Sequence, residues 1–193
     1  MKLAKRSGNF EWVTKPNAAE SFSIYNPTDT PIDLTHYYIC DDEKYYTMQT
    51  DANMSPASNS NGLTTSGFSA QFPARTIDPG DTLMIVLNEN YSEFYGANFY
   101  PDLMMFGDSD SSMLQTESGS FGILQNKIEE ASELLILFYW DGNEETLVQD
   151  VDYFLWGSYQ TPINKTDISA YSDDTPIDNQ FYFMEDATEY YAY

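Results

Sequence analysis

The chain has 193 residues, 41% of them apolar and 16% aromatic, which is enough to bury a sizeable core and excludes global disorder. Asp and Glu number 31 against 8 Lys and Arg, a formal net charge of −23. Such a body repels phosphate backbones and anionic lipid surfaces, so it argues against nucleic-acid binding and leaves plain solubility or a cationic partner.

The chain opens with a basic stretch carrying Lys2, Lys5 and Arg6, read as an N-terminal arm over 1–8. Ser7-Gly8-Asn9 follows where a signal peptide would place an apolar run, so the stretch does not read as a signal peptide. Strand-like runs rich in Ile, Val, Tyr, Phe and Thr then recur at Phe10 to Thr14, Phe22 to Tyr25, Tyr37 to Cys40 and Lys44 to Met48. Between the second and third lies a corner, Tyr25-Asn26-Pro27-Thr28-Asp29-Thr30-Pro31. Its prolines fix φ and withhold N–H groups, while Asn and Asp bond back to local backbone, so the chain must reverse there. Cys40 is the only cysteine, which excludes an internal disulfide and a cysteine zinc site, and its apolar neighbours predict a buried, inert thiol.

Residues 51–70 are dominated by Ser, Asn, Thr and Gly and read as a long surface loop. Asp78-Pro79-Gly80-Asp81 predicts a turn, followed by a strand over Thr82 to Leu87. Residues 88–120 read as a long loop, within which the polar stretch 107–120 lacks periodicity and reads as a second surface loop. Glu129 to Ser132 allows a short helical turn, and Glu133 to Trp140 reads as a buried strand. Asp141-Gly142-Asn143 is a hairpin signal leading into a strand over Thr146 to Leu155. Residues 158–193 form an acidic, Tyr-rich C-terminal extension, and no run approaches the roughly 18 apolar residues of a transmembrane helix.

Several ordered pieces resemble the lamin tail domain: the Asn-Pro corner with Ile32-Asp33-Leu34, an aromatic strand ending in Asp41-Asp42, and Phe72-Pro73 leading to Thr76-Ile77-Asp78-Pro79-Gly80-Asp81. The unit Phe121 to Leu124, Glu133 to Trp140, Asp141-Gly142 and Val148 to Tyr153 completes the likeness, which spans about residues 9–157. The resemblance implies an immunoglobulin-like antiparallel β-sandwich without catalytic residues. It is similar to the version carried by prokaryotic secreted or surface proteins, which implies an extracellular or cell-surface setting. Nothing resembles a lamin coiled coil, so filament function is not implied.

Candidate chemistry is sparse. His36 is the only histidine, which leaves one possible base and one His ligand and favours a structural role. Ser118-Gly119-Ser120 lacks the Gly-x-Ser-x-Gly order of a nucleophile elbow, and no phosphate-binding glycine loop occurs. Asp108, Asp110 and Ser112 offer hard oxygens at alternate positions, a possible calcium site, with Asp41-Asp42-Glu43 and Asp173-Asp174 with Asp178 as further oxygen-rich loops. Solvated loops are the competing reading for each. The aromatic end, Phe181, Tyr182, Phe183, Tyr190, Tyr191 and Tyr193, suits an interface, either on the chain's own edge strand or on a neighbouring molecule. The expected function is a non-enzymatic interaction module supporting protein–protein assembly or adhesion. A carbohydrate-binding module using exposed Tyr and Trp, aided by calcium, is the alternative, and a small glycoside hydrolase comes third.

Overall fold

The computed structural model describes residues 2–4, 21–43, 45–46, 68–87, 91–105, 112–116, 132–143, 145–157, 163, 165 and 181–183. In chain order the elements are β1 (Lys2–Ala4), β2 (Ser21–Tyr25), β3 (Ile32–Asp33), β4 (Tyr37–Cys40), β5 (Ser69–Gln71), β6 (Thr76–Ile77), β7 (Thr82–Val86), α1 (Tyr91–Tyr95), β8 (Leu103–Met104), β9 (Leu114–Gln115), β10 (Ser132–Tyr139), β11 (Gln149–Gly157) and β12 (Phe181–Phe183). They form a four-stranded sheet β1-β2-β7-β8, a six-stranded sheet β12-β11-β10-β4-β5-β9, and the small pair β3-β6. Pairing is antiparallel except at two edges, where β8 and β12 run parallel to β7 and β11.

The result is an all-β sandwich. Period-two alternation sends Phe22 and Ile24 of β2 and Leu83 and Ile85 of β7 inward from the four-stranded sheet. They meet Ile39, Ala70, Leu135, Leu137 and Phe154 of the six-stranded sheet in one buried cluster. The continuous apolar run Leu134 to Phe138 has a direct cause: this sheet is buried on both faces. Leu134, Ile136 and Phe138 point away from the sandwich interior into a second buried cluster with Tyr38, Cys40, Tyr45, Trp140, Tyr153, Leu155 and Ile163.

The Asn-Pro corner is bolted to the Asp-Pro-Gly turn. Asn26 is fully buried, and its Nδ2 donates to the carbonyls of Thr30 at 2.8 Å and Ile77 at 3.0 Å. Its Oδ1 accepts from the Thr28 amide at 3.0 Å and the Thr28 hydroxyl at 2.7 Å. Its backbone pairs with the turn, donating to Asp81 at 3.0 Å and accepting from Gly80 at 2.9 Å. Gly80 holds φ +78 and Gly142, in the β10–β11 hairpin, φ +83, positions where a Cβ would strain the backbone.

The structure corrects several sequence expectations. Tyr45 and Tyr46 lie in a 3₁₀ turn, not a strand, which turns the Tyr45 ring onto the outer face of β10. The strand Ser69–Gln71 overlaps the end of the expected 51–70 loop, and Leu114–Gln115 is an edge strand within the expected 107–120 loop. Residues 88–120 also supply α1 and β8. Composition hid these because each is short and takes its order from a neighbour already in the sheet. Thr146 to Val148 precedes the strand, which instead begins at Gln149. β1, in the 1–8 arm, pairs with β2, and β12, in the 158–193 extension, pairs with β11. The expected strand at Phe10 to Thr14 and the helical turn at 129–131 lie outside the described residues, while Ser132 is already in β10.

Candidate functional site

The most concentrated polar chemistry among the described residues sits on the outer face of the six-stranded sheet. β10 and β11 pair in regular register from Ser132↔Gly157 to Leu137↔Asp152, then shift so that Phe138 faces Asp150. This bulge reverses the alternation of β11. Phe154 and Val151 therefore face the sandwich interior, while Tyr153 and Asp150 both come to the outer face. There Lys165, from the segment after β11, is buried with them.

The Lys165 Nζ lies 2.5 Å from Asp150 Oδ2, with the two side chains 3% and 0% exposed. Nζ also donates to the Tyr45 hydroxyl at 2.7 Å. The Tyr45 hydroxyl in turn donates to Asp150 Oδ1 and contacts the Tyr153 hydroxyl. Since Tyr45 has one hydroxyl proton and gives it to Asp150, Tyr153 is the donor in that contact. The ammonium lies 5.2 Å from the Tyr45 ring centroid and 5.9 Å from that of Tyr153, so aromatic faces complete its surroundings. Both carboxylate oxygens thus have partners, which a buried charge requires. Phe138 packs on Tyr45 at 5.3 Å, and Tyr38 stacks on Phe138 at 5.2 Å, closing the site from below. A group sealed in this way cannot meet a diffusible substrate; what it can do is fasten the segment holding Ile163 and Lys165 to the sheet.

Titratable groups elsewhere, at the sheet ends, are shifted by burial or by local hydrogen bonds. Desolvation, with the charges of Asp141 and Tyr139 behind it, pushes the Tyr38 hydroxyl up to about 12. Burial, then the neighbouring Asp42, raises the Cys40 thiol well above its ordinary value. At the β3 end, the Thr35 hydroxyl and then the Thr35 amide donate to Asp33 and lower its pKa.

The sequence-derived candidates are dispersed. Ser112 is buried, in a bridge beside Met104, while Asp108 and Asp110 lie outside the described residues. Asp41 spends its Oδ1 on the Phe68 amide at 2.8 Å, closing the β4–β5 end, and Asp173, Asp174 and Asp178 lie outside the described residues. Among the described residues no group of three or more His, Cys, Asp or Glu side chains converges. His36 packs edge-on against Tyr139, with ring centroids 6.0 Å apart. Phe181, Tyr182 and Phe183 form β12, paired in parallel with Phe154, Leu155 and Trp156 of the same chain; Tyr190, Tyr191 and Tyr193 lie outside the described residues. Sequence reasoning missed Lys165, Asp150, Tyr45 and Tyr153. One signal was present: Asp150 interrupts a strand-like run in a chain where Lys165 is one of few bases.

An all-β sandwich with a sealed ionic cluster on its outer face is therefore the class that fold and site define. Comparison with protein-family models, with curated proteins and with solved structures finds no match.

Proposed function

We propose that the chain is a non-catalytic interaction module, an immunoglobulin-like sandwich of the lamin-tail type, that supports protein–protein assembly or adhesion at a cell surface or in the extracellular space. The observation that carries this reading is how polar chemistry divides between interior and surface. The Lys165–Asp150–Tyr45–Tyr153 cluster is enclosed and serves the scaffold, whereas the surface offers acidic charge and aromatic rings, with Tyr100 81% exposed and Tyr25 37% exposed. Exposed Tyr gives flat apolar area with a polar end at low entropic cost, and a charge of −23 steers cationic surfaces toward it. The bolted Asn26 corner and Asp-Pro-Gly turn support the lamin-tail likeness, since the two motifs that suggested it are one structural unit. Calcium held by Asp108, Asp110 and Ser112 would act as a structural support in this reading.

Light scattering during size exclusion, with and without calcium, tests the reading together with a glycan array and a Tyr100→Ser variant. Self-association or capture of a basic protein partner, weakened by Tyr100→Ser, is the expected result. Selective glycan binding lost in that variant would replace it with the carbohydrate-binding reading, which the exposure of Tyr100 also favours. Turnover of a hydrolase reporter, abolished by a single carboxylate-to-amide change, would overturn it.

A further inference from the structure

The enclosed pair Lys165–Asp150 has the arrangement of a reaction waiting to occur. A Lys ammonium and an Asp carboxylate together contain the atoms of one amide and one water. Nζ lies 2.5 Å from Oδ2, which places the carboxyl carbon one C–O bond further on. Both side chains are shut off from solvent and roofed by aromatic rings. A third group touches both reactants: the Tyr45 hydroxyl accepts from Nζ at 2.7 Å and donates to Asp150 Oδ1.

We propose that Lys165 and Asp150 become joined by an intramolecular amide, a covalent staple between β11 and the segment that follows it. One proton passes from Nζ through the Tyr45 hydroxyl to Oδ1, freeing the nitrogen lone pair, and Nζ adds to Cγ. A C–N bond forms and the Cγ–Oδ1 bond breaks. Two of the three ammonium protons leave with Oδ1 as water, and the third stays on the amide nitrogen. Tyr45 relays the second of those protons from nitrogen to Oδ1 and ends unchanged. No oxidant, cofactor or second substrate is consumed.

Two physical effects drive the step where free amine and carboxylate in water would not react. Fixed contact supplies effective molarities of roughly 10⁵–10⁸ M in well-oriented intramolecular reactions. The product also exchanges two buried charges, which are costly to desolvate, for one neutral amide whose N–H keeps the Tyr45 hydroxyl as its acceptor. Exclusion of bulk water from the site opposes the reverse hydrolysis.

Trypsin reads the bond directly. Lys127 and Lys165 are the last two cleavage points of the chain, so a free Lys165 yields fragments 128–165 and 166–193 from denatured protein. A linked Lys165 is not cleaved. The expected product is a single 128–193 fragment, lighter than its sequence by one water, with fragmentation placing the branch between Asp150 and Lys165. Lys165→Arg and Asp150→Ala should each restore the full sequence mass, and Tyr45→Phe should slow linkage in freshly made protein. Two fragments at sequence mass would overturn the proposal. So would a water loss confined to a normally cleaved 128–165 fragment, which would mark ring closure at Asp141-Gly142 instead. The decisive measurement uses the unaltered chain, so misfolding of a variant leaves the test intact; complete, rapid linkage in Tyr45→Phe would remove Tyr45 from the step.

Discussion

Replacing Asn26 by Ala should be among the most damaging single changes at the surface-facing end of the sandwich. The side chain is fully buried and makes four hydrogen bonds. Thr28 and Thr30 are exposed, so water can replace the amide at their groups. The Ile77 carbonyl belongs to a buried residue and loses a partner that water cannot readily supply. One orphaned buried acceptor costs about 1–3 kcal/mol, and weaker compensation at the other three contacts adds on the order of 1 kcal/mol. The expected loss is therefore about 3 kcal/mol, or about 6–12 °C in Tm for a domain of this size, read by urea and thermal unfolding at unchanged m-value. Asn26→Asp provides a sign-specific companion. Its carboxyl would face two carbonyl oxygens, so the folded state would favour the protonated acid and raise its pKa. That variant should lie nearest the parent below the unfolded carboxyl range and lose stability as pH rises through the elevated folded value. A loss under about 1 kcal/mol for Asn26→Ala, or no pH dependence for Asn26→Asp, would refute the role of the corner as a bolt.

Ser69→Ala should stabilise the fold by about 1 kcal/mol in chemical denaturation, because its hydroxyl is buried without a hydrogen-bond partner and Ala removes that desolvation cost. Cys40, buried and with its thiol pKa raised, should resist a thiol-reactive dye in the native state and label at the rate of unfolding. Tyr38 has a folded pKa raised to about 12 against about 10 unfolded, so its contribution is complete below pH 10 and is lost as pH rises toward 12. Alkaline titration should then show tyrosinate absorbance rising together with loss of tertiary circular dichroism, and Tyr38→Phe should delay that transition.

The sandwich was legible because its central strands carry their own signals. β2, β4, β7 and β10 are apolar, β-branched or aromatic runs between strong turns, and Gly80 and Gly142 mark those turns with backbone only glycine adopts easily. What stayed hidden depends on partners remote in sequence. β5 reads as Ser-Ala-Gln and becomes a strand because β4 lies beside it. Tyr45 sits in a run that alternates like a strand, yet its ring is needed over Phe138, and a turn delivers it there. Asp150 reaches the outer face only through a bulge, which a period-two reading cannot foresee. The segment after Gly157 looked like an appendage because its packing residues, Ile163 and Lys165, are isolated among polar neighbours.

Among the described residues beyond Gly157, Ile163 and Lys165 pack on the outer face of β10 and β11 and β12 pairs along β11, so these parts of the chain belong to the fold. Hydrogen exchange followed by mass spectrometry on the full chain and on a chain ending at Gly157 puts this to the test. Burial of Ile163 alone is worth about 1.5–3 kcal/mol, so the shorter chain should exchange its β10 and β11 amides at least about tenfold faster and bind a hydrophobic dye. Equal protection in the two chains, with no dye bound, would contradict it.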